Sequence, residues 1–429
     1  MILAWKVRTD ALLKPHKPQL KQGIEIKNMN NPSTPNKINL VMFNMSTFYD
    51  WDHGIVNRNY NILNKLAKDE RIEKIVAVDF LPIGFKKAAK HYLQNILFEP
   101  KSAEMIYGDL TTACYQKTDK IYIYTSIDSL FSLKTVAKEQ RRVEKILNLK
   151  NIVFWSYNPM FVEFIGKLNE KMFIFDTVDN WSEHAGYAKL IKKKKLLQNY
   201  QTIAKKADLI FTVSNELKKF YQKFNRTNNV HWIPNGVDFD FFNDEQAIQK
   251  ENLISNISEP IIGYFGTIQE RVDLELIAKI AKKHLNKKIV LAGPIWPSIK
   301  KQFNLELGDL NNVITTGRIK YQDAPSYINR FDIAIIPHKV DEFIKSTNPM
   351  KMYEYLACGK PVVSTQGAGL DMFADHIYIA DNHDEFKYFI DKAFEEDCAK
   401  LQAQRRNAVK THSWTNRVKK MTDLMFNKL

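Results

Sequence analysis

The chain is poor in the residues that build stapled, fibrous or membrane-spanning folds. It has three cysteines in 429 residues, Cys114, Cys358 and Cys398, with no paired spacing. That excludes a disulfide framework and a cysteine-based zinc site, and it fits a reducing compartment. Glycine and proline number 15 each, too few for a collagen-like or linker-dominated chain. No run approaches the ~18–20 consecutive apolar residues of a bilayer span. Residues 1–37 carry Lys6, Arg8, Lys14, Lys17, Lys21 and Lys27 broken by Pro15, Pro18, Pro32 and Pro35, and hold no apolar stretch of a secretory signal. They read as an N-terminal extension.

What is present is globular. Hydrophobic residues make up 45% and charged residues 26% of the chain, and the length suits two to three domains. The formal charge of +15 is unevenly placed. Residues 1–250 hold 38 basic against 26 acidic side chains, residues 251–400 hold 18 against 21, and residues 401–429 hold 7 against 1. An acidic partner would therefore meet the first half and the tail.

From Lys37 onward short apolar runs alternate with helical periodicity. The first half offers strands at Ile38–Phe43, Lys74–Val78, Ile121–Tyr124, Ile152–Trp155, Met172–Phe175, Leu209–Val213 and Val230–Ile233. Between them helices are expected at Val56–Ala67, Lys86–Leu97, Lys134–Leu147, Met160–Leu168, Tyr187–Lys205 and Glu216–Phe224. Continuous apolar strands separated by helices indicate a parallel sheet covered on both faces. The polar stretch Asp238–Pro260 reads as a linker, after which a second strand–helix alternation runs from Ile261 to Glu396. The expectation is an α/β protein of two doubly wound, Rossmann-like domains, residues 38–250 and 259–410, facing a cleft, with a last helix at 411–429 that leaves the second domain.

Ser346-Thr347-Asn348-Pro349-Met350-Lys351-Met352-Tyr353-Glu354 is the most informative segment. Asn348 is placed to cap a helix with Pro349 at its first position. Free N–H groups there favour an anion such as phosphate, Ser346 and Thr347 add hydroxyls, and Lys351 in the first turn suits the dipole only if an anion is bound. Glu354, one turn on, can accept from a diol such as a ribose. An ordinary capped helix explains the same residues. Ile261 to Arg271 is a strand entering a glycine turn, where Gly266 permits close backbone approach and Arg271 can clamp a diphosphate. Thr316-Gly317-Arg318-Ile319 is a candidate base-binding loop, and Gly367 to Gly369 another backbone-rich turn. In the first half, Asp50-Trp51-Asp52-His53-Gly54 and Asp176-Thr177-Val178-Asp179-Asn180 end strands and offer Asp52, His53 and Asp179 as proton acceptors or sugar-hydroxyl ligands, though aspartate and asparagine also favour turns. Asp50 with Asp52 and Asp238 with Asp240 are not metal sites without further ligands, and no metal is expected.

Together these residues resemble a family. Trp232-Ile233-Pro234-Asn235-Gly236-Val237-Asp238 with Phe241-Phe242, the Ala207–Ser214 strand, Gly317 to Tyr327, Phe331 to Pro337 and Tyr353 to Val363 are similar to segments of retaining GT-B glycosyltransferases. The resemblance covers about residues 38–429, and Trp51-Asp52…Arg58 with Asp176…Asp179 is nearest to teichuronic-acid-type transferases. It implies a nucleotide-diphosphate sugar as donor substrate rather than a resident cofactor, and a glycan or lipid-linked acceptor in cell-surface polysaccharide synthesis. By matching positions, Glu354 would bind the ribose, while Gly266, Arg271, Ser346, Thr347 and Lys351 would meet the diphosphate. Arg318 and Ile319 would border the base, and Asp52, His53 and Asp179 would face the reacting sugar. One departure stands out. Many relatives have a glutamate where this chain has Ser346, eight residues before Glu354.

Two basic–apolar segments, Phe80 to Lys87 and Leu190 to Leu197, suit an anionic membrane surface, or simply a solvated helix face. The expected location is cytoplasmic, free or at the inner face of the membrane. A sugar-nucleotide epimerase of the same fold and a non-catalytic basic binding protein are the alternatives. The chain lacks a nucleic-acid-binding module, so no nucleic acid is expected.

Overall fold

The computed structural model describes residues 37–52, 54–79, 103–108, 112–126, 133–184, 191–367 and 369–429. His53, Phe80 to Lys87, the expected helix Lys86–Leu97, Leu190 and nearly all of the N-terminal extension lie outside them. The chain divides into two compact units, one of residues up to Tyr49 with Leu66–Phe173, the other of Asp50–Lys65 with Ile174–Leu429. This division cuts inside the stretch expected to be the first domain.

In the first unit, β1 (Ile38–Phe43) lies between β2 (Ile72–Val78) and β6 (Ile152–Ser156), both parallel to it. All six residues of β1 are buried, as an interior parallel strand requires. Beyond β2 the sheet is not purely parallel. β5 (Ile121–Ser126) pairs parallel with β2, but β4 (Thr112–Gln116) and β3 (Glu104–Gly108) add an antiparallel edge. The expected helix Met160–Leu168 is also corrected, because only a 3-10 turn, Val162–Phe164, forms there. Its aromatics supply the reason. Phe161 and Phe164 both pack edge-on to Phe43, at 5.9 and 5.0 Å, and the left-handed Asn169 (φ 49°) ends the segment.

The second unit contains β7 (Met172–Thr177) from Ile174 on, β8 (Leu209–Thr212) and β9 (Val230–Trp232), adjacent and parallel in that order. It also contains a six-stranded parallel sheet, β10 (Ile261–Phe265), β11 (Lys288–Ala292), β12 (Val313–Thr315), β13 (Ile333–Ile336), β14 (Val362–Thr365) and β15 (Tyr378–Ala380). Its order, β12-β11-β10-β13-β14-β15, is that of a doubly wound nucleotide-binding sheet. The chain reverses direction of travel between β10 and β13, and crevices for ligands open at the carboxyl ends of such a pair.

The expected linker is ordered structure. Short helices form at Phe239–Phe242 and Glu245–Ile248, and Phe242 and Ile254 are fully buried in the core beside β13 and β14. The polar residues that suggested a linker satisfy turns: the Asn252 side chain accepts from Ile254 N–H at 2.9 Å and donates to Ser326 Oγ at 3.2 Å. The last helix, Trp414–Phe426, is capped by Ser413, whose hydroxyl accepts from Asn416 N–H. Val237 and Ser413 are bridged, and Trp414 N–H donates to Val237 O at 3.1 Å.

Candidate functional site

The helix Met350–Ala357 starts as the sequence indicates but is capped differently. Its cap residue is Pro349, with no side-chain hydrogen bond. Asn348 instead forms a long-range clasp. Its Oδ1 accepts from Asn235 N–H at 2.9 Å and from the Tyr353 hydroxyl at 3.0 Å, and its backbone oxygen accepts from Asn235 Nδ2 at 2.6 Å. Ser346 and Thr347 turn their hydroxyls inward, donating to Phe343 O at 2.7 Å and Ile344 O at 3.0 Å. The serine that stands where relatives carry glutamate thus closes a 3-10 turn, while its own carbonyl accepts from Ser214 Oγ at 2.7 Å. The first-turn N–H groups of the helix keep the positive end of its dipole without a side-chain cap.

Lys351 gathers at this end. Its Nζ lies 5.1 Å from the centre of the Tyr264 ring on β10. A Cβ built on Gly266 would stand 2.6 Å from Lys351 Cε and 2.8 Å from its Nζ. With φ at +136°, Gly266 has a conformation that L side chains rarely adopt. Only glycine lets this lysine lie across the strand-end turn. The helix and β10 are locked together by Phe265 N–H, which donates to the Tyr355 hydroxyl at 2.8 Å.

Glu354, 5% exposed, accepts from the Tyr321 hydroxyl at 3.2 Å, and Tyr321 stacks on Phe241 with centroids 5.4 Å apart. Burial raises the Glu354 carboxyl to about 6, with Lys351 and Tyr321 pulling the other way. A buried carboxyl raised in this way stabilises the fold when protonated, and that contribution is lost as pH rises from about 4.5 through about 6. Glu354→Gln is therefore expected to stabilise the ligand-free protein by about 2 kcal/mol at pH 8 and to change little at pH 4.5, read by denaturant unfolding at both values.

Arg271, half-buried after the glycine turn, donates to the Gln269 side-chain oxygen and supplies its backbone oxygen to Lys339 N–H at 2.8 Å. Its charge reaches Asp179 and His184. Burial pushes Asp179 upward, opposed by Arg271 and His184. Burial pushes His184 downward, opposed by Asp179. The Asp179 carbonyl is held by the Tyr200 hydroxyl at 3.1 Å, and His184 packs edge-on to Phe343 at 4.7 Å. Asp179, His184 and Arg271 therefore form one electrostatically linked group, and Lys351 with Glu354 another. Asp52 is exposed, and its charge acts on Tyr60. Arg318 is exposed and Ile319 packs partly on the core of the second sheet, consistent with a loop at the rim. Among the described residues no cluster of potential metal ligands forms.

Sequence reasoning missed one contact and one residue. Arg58 and Asp176, 2% and 0% exposed, form a buried pair with Arg58 Nε at 3.0 Å from Oδ2 and Nη2 at 3.0 Å from Oδ1. The residue is His338, buried and in the field of Lys351 and Arg271. Arg58 and Asp176 stand in separate sequence motifs with nothing to mark them as partners, and His338 carries no local spacing signal.

Residues 259–395 match the family model described as Glycosyl transferases group 1. A Bacillus subtilis protein named as a teichuronic acid biosynthesis glycosyltransferase, TuaH, is 28% identical over 198 residues, 45% of this chain and 50% of that protein, so the match spans about half of the relative's length. Among solved structures, sucrose-phosphate synthase from Thermosynechococcus elongatus superposes with a TM-score of 0.68 at 13% identity, covering 91% of this chain and 99% of that one. Anabaena HepE in complex with UDP-glucose gives 0.64 at 13% identity, covering 91% and 100%. The α,α-trehalose-phosphate synthase (UDP-forming) of Burkholderia vietnamiensis gives 0.65 at 10%, covering 92% and 99%. At such identities the likeness is one of fold. The chain has the GT-B fold of two parallel-sheet, Rossmann-like domains, and its residues 259–395 are a group 1 glycosyltransferase domain.

Proposed function

We propose that the protein transfers a sugar from a nucleotide-diphosphate donor to a hydroxyl acceptor, with retention at the anomeric carbon. The observation that carries this reading is the placement of Lys351 across Gly266 at the carboxyl end of β10, with the buried carboxyl of Glu354 one helical turn beyond. A ribose diol needs an acceptor, which Glu354 supplies when ionised. A diphosphate needs cations and free N–H groups, which Arg271, Lys351 and the helix start supply. On glycosyl transfer the bond from sugar to phosphate oxygen breaks, and charge develops on the leaving diphosphate. Fixed cations placed there stabilise the transition state more than the ground state.

In this reading Gly266, Arg271, Ser346, Thr347 and Lys351 surround the diphosphate. Ser346 and Thr347 act through the turn they close rather than through free hydroxyls. Arg318 and Ile319 border the base, and Asp179 serves the reacting sugar, with Asp52 toward the acceptor. Because Ser346 removes the carboxylate found in relatives, the sugar hydroxyls fall to other acceptors, of which the Asp179 carboxyl, pushed upward by burial, lies in reach of Arg271's field. The acceptor is a glycan or a lipid-linked saccharide of a bacterial envelope polymer. The relative named for teichuronic acid biosynthesis supports this. Lys192 to Lys195 are all exposed at the start of the helix Lys193–Lys206, a suitable contact for anionic lipid at the inner face of the membrane.

The test is a thermal-shift screen across nucleotide sugars, in which the true donor raises the melting temperature by its own affinity, followed by turnover with and without acceptors. Conversion of donor to an isomer without any acceptor would replace transfer by epimerisation. In the same assay Gly266→Ala is expected to weaken donor binding about tenfold, equivalent to ~1.4 kcal/mol, because the new methyl displaces Lys351. Isothermal titration calorimetry with the identified donor measures it, and unchanged affinity would remove Lys351 from the diphosphate.

A further inference from the structure

His338 directly follows β13 and Pro337, at the carboxyl end of the strand that flanks β10 where the sheet order reverses. That is the position at which doubly wound sheets bind ligands. Its backbone is held twice by Thr365. His338 N–H donates to Thr365 Oγ1 at 3.2 Å, and the same hydroxyl lies 2.7 Å from His338 O. An antiparallel bridge to Val272 and the contact from Lys339 N–H to Arg271 O at 2.8 Å tie it to the arginine segment. The imidazole packs edge-on to Tyr264, 6.4 Å between centroids, the ring that also carries Lys351 Nζ. The residue is 5% exposed, and its Nε2 has no hydrogen-bond partner among the described residues. An unsatisfied buried ring nitrogen in the field of two cations is costly and calls for an explanation.

We propose that His338 is a third, conditional cation of the donor site, neutral while the site is empty and protonated from solvent when a nucleoside diphosphate arrives. The inference rests on the donor reading above. Charged groups that act on the ring come from two elements, Lys351 of the helix Met350–Ala357 and Arg271 after β10. The other facing groups named above, Tyr264 and Thr365, are uncharged. Burial and the two cations hold the imidazole well below its ordinary value. A bound diphosphate brings about two negative charges, cancels the field of Lys351 and Arg271, and removes the reason for neutrality. The proton taken from solvent on binding adds positive charge beside the leaving group. It returns to solvent when the nucleoside diphosphate departs, so the cycle balances. This is an action at the ring through charge, and it needs no contact between His338 and the sugar.

Calorimetric titration of the full chain with UDP-, GDP- and dTDP-glucose tests it. These are diphosphate diesters, which do not titrate near neutrality. Binding heats measured in buffers of different ionisation enthalpy give the number of protons exchanged. At about pH 7 the wild type is expected to take up a substantial fraction of one proton. Its affinity should rise by up to about tenfold per pH unit as pH falls from about 8 to 6.5. Glu354 works with the opposite sign, because a ribose binds its carboxylate and releases protons as pH approaches about 6. Uptake above that value is therefore not its signature. His338→Gln should still bind, more weakly, with uptake abolished and a flat pH profile, and a merely structural role would lower affinity while leaving the proton number unchanged. If binding occurs without proton uptake in the wild type, or with equal uptake in His338→Gln, the proposal is overturned while the donor reading stands. Should His338→Gln not fold, the wild-type proton number alone decides. Failure of all three probes to bind removes both readings together.

Discussion

Lys351→Ala is expected to slow sugar transfer by about 10²–10³-fold, with most of the loss in kcat. Among the described residues Lys351 has no hydrogen-bonded acceptor, and its charge acts on the Glu354 carboxyl one turn on. Its contacts are the face of Tyr264 and the open backbone of Gly266. A cation held in the first turn of a helix opposes the dipole by several tenths of a kcal/mol. It is retained there only if an anion answers it. The negative charge on a diphosphate grows as the sugar leaves, so the lysine contributes more in the transition state than in the bound complex. Arg271→Ala should lose a comparable factor. The double variant should lose less than the product, because both residues act on one leaving group. Progress curves with a radiolabelled or coupled donor assay measure this, alongside a melting temperature within a few degrees of wild type. If both single variants turn over donor at the wild-type rate, the site has been placed on the wrong residues.

How much of this was legible in the sequence follows from the range over which each signal acts. Interior parallel strands such as β1, β10 and β13 are continuous apolar runs, and every one was visible because burial on both faces leaves no alternative pattern. The strands β3 and β4 were not. β3 is exposed at both ends and only half-buried between, so no apolar run marks it, and it owes its existence to pairing across a sheet edge. The segment Asp238–Pro260 reads as polar because Phe242 and Ile254 are too far apart to form a pattern, yet each fills a core formed by residues far along the chain. Asn348 is the clearest case at the site. An asparagine before a proline and a helix has the chemistry of a cap, and its side chain was instead claimed by Asn235, 113 residues away. Lys351 and Glu354 stand out in the sequence because they lie within about one turn of a single helix. His338 does not, because its surroundings come from three separate strand ends.

Arg58→Ala is expected to destabilise the protein by about 3–5 kcal/mol, the cost of leaving a buried charge without its partner. Asp176 is fully buried, and its two oxygens face the guanidinium at 3.0–3.2 Å. Arg58 also donates through Nη1 to Pro234 O at 3.3 Å and to Asn235 Oδ1 at 3.2 Å. Arg58→Lys should recover only part of the loss, since an ammonium cannot reproduce the planar fork. By contrast, the double change Arg58→Met with Asp176→Leu removes both charges and should restore most of the stability, because well-packed apolar pairs replace buried ion pairs at little cost. The three variants together separate two roles. Asn235 passes the arginine's hold to Asn348, and Asn348 sits at the start of the helix that carries Lys351 and Glu354. If the pair matters only for stability, the apolar double variant should bind nucleotide sugar as the wild type does. If it sets the position of that helix, the double variant should be stable in denaturant titrations and still bind donor several-fold more weakly. The second result is expected, because a methionine offers Asn235 no hydrogen bond and leaves the clasp on Asn348 without its anchor.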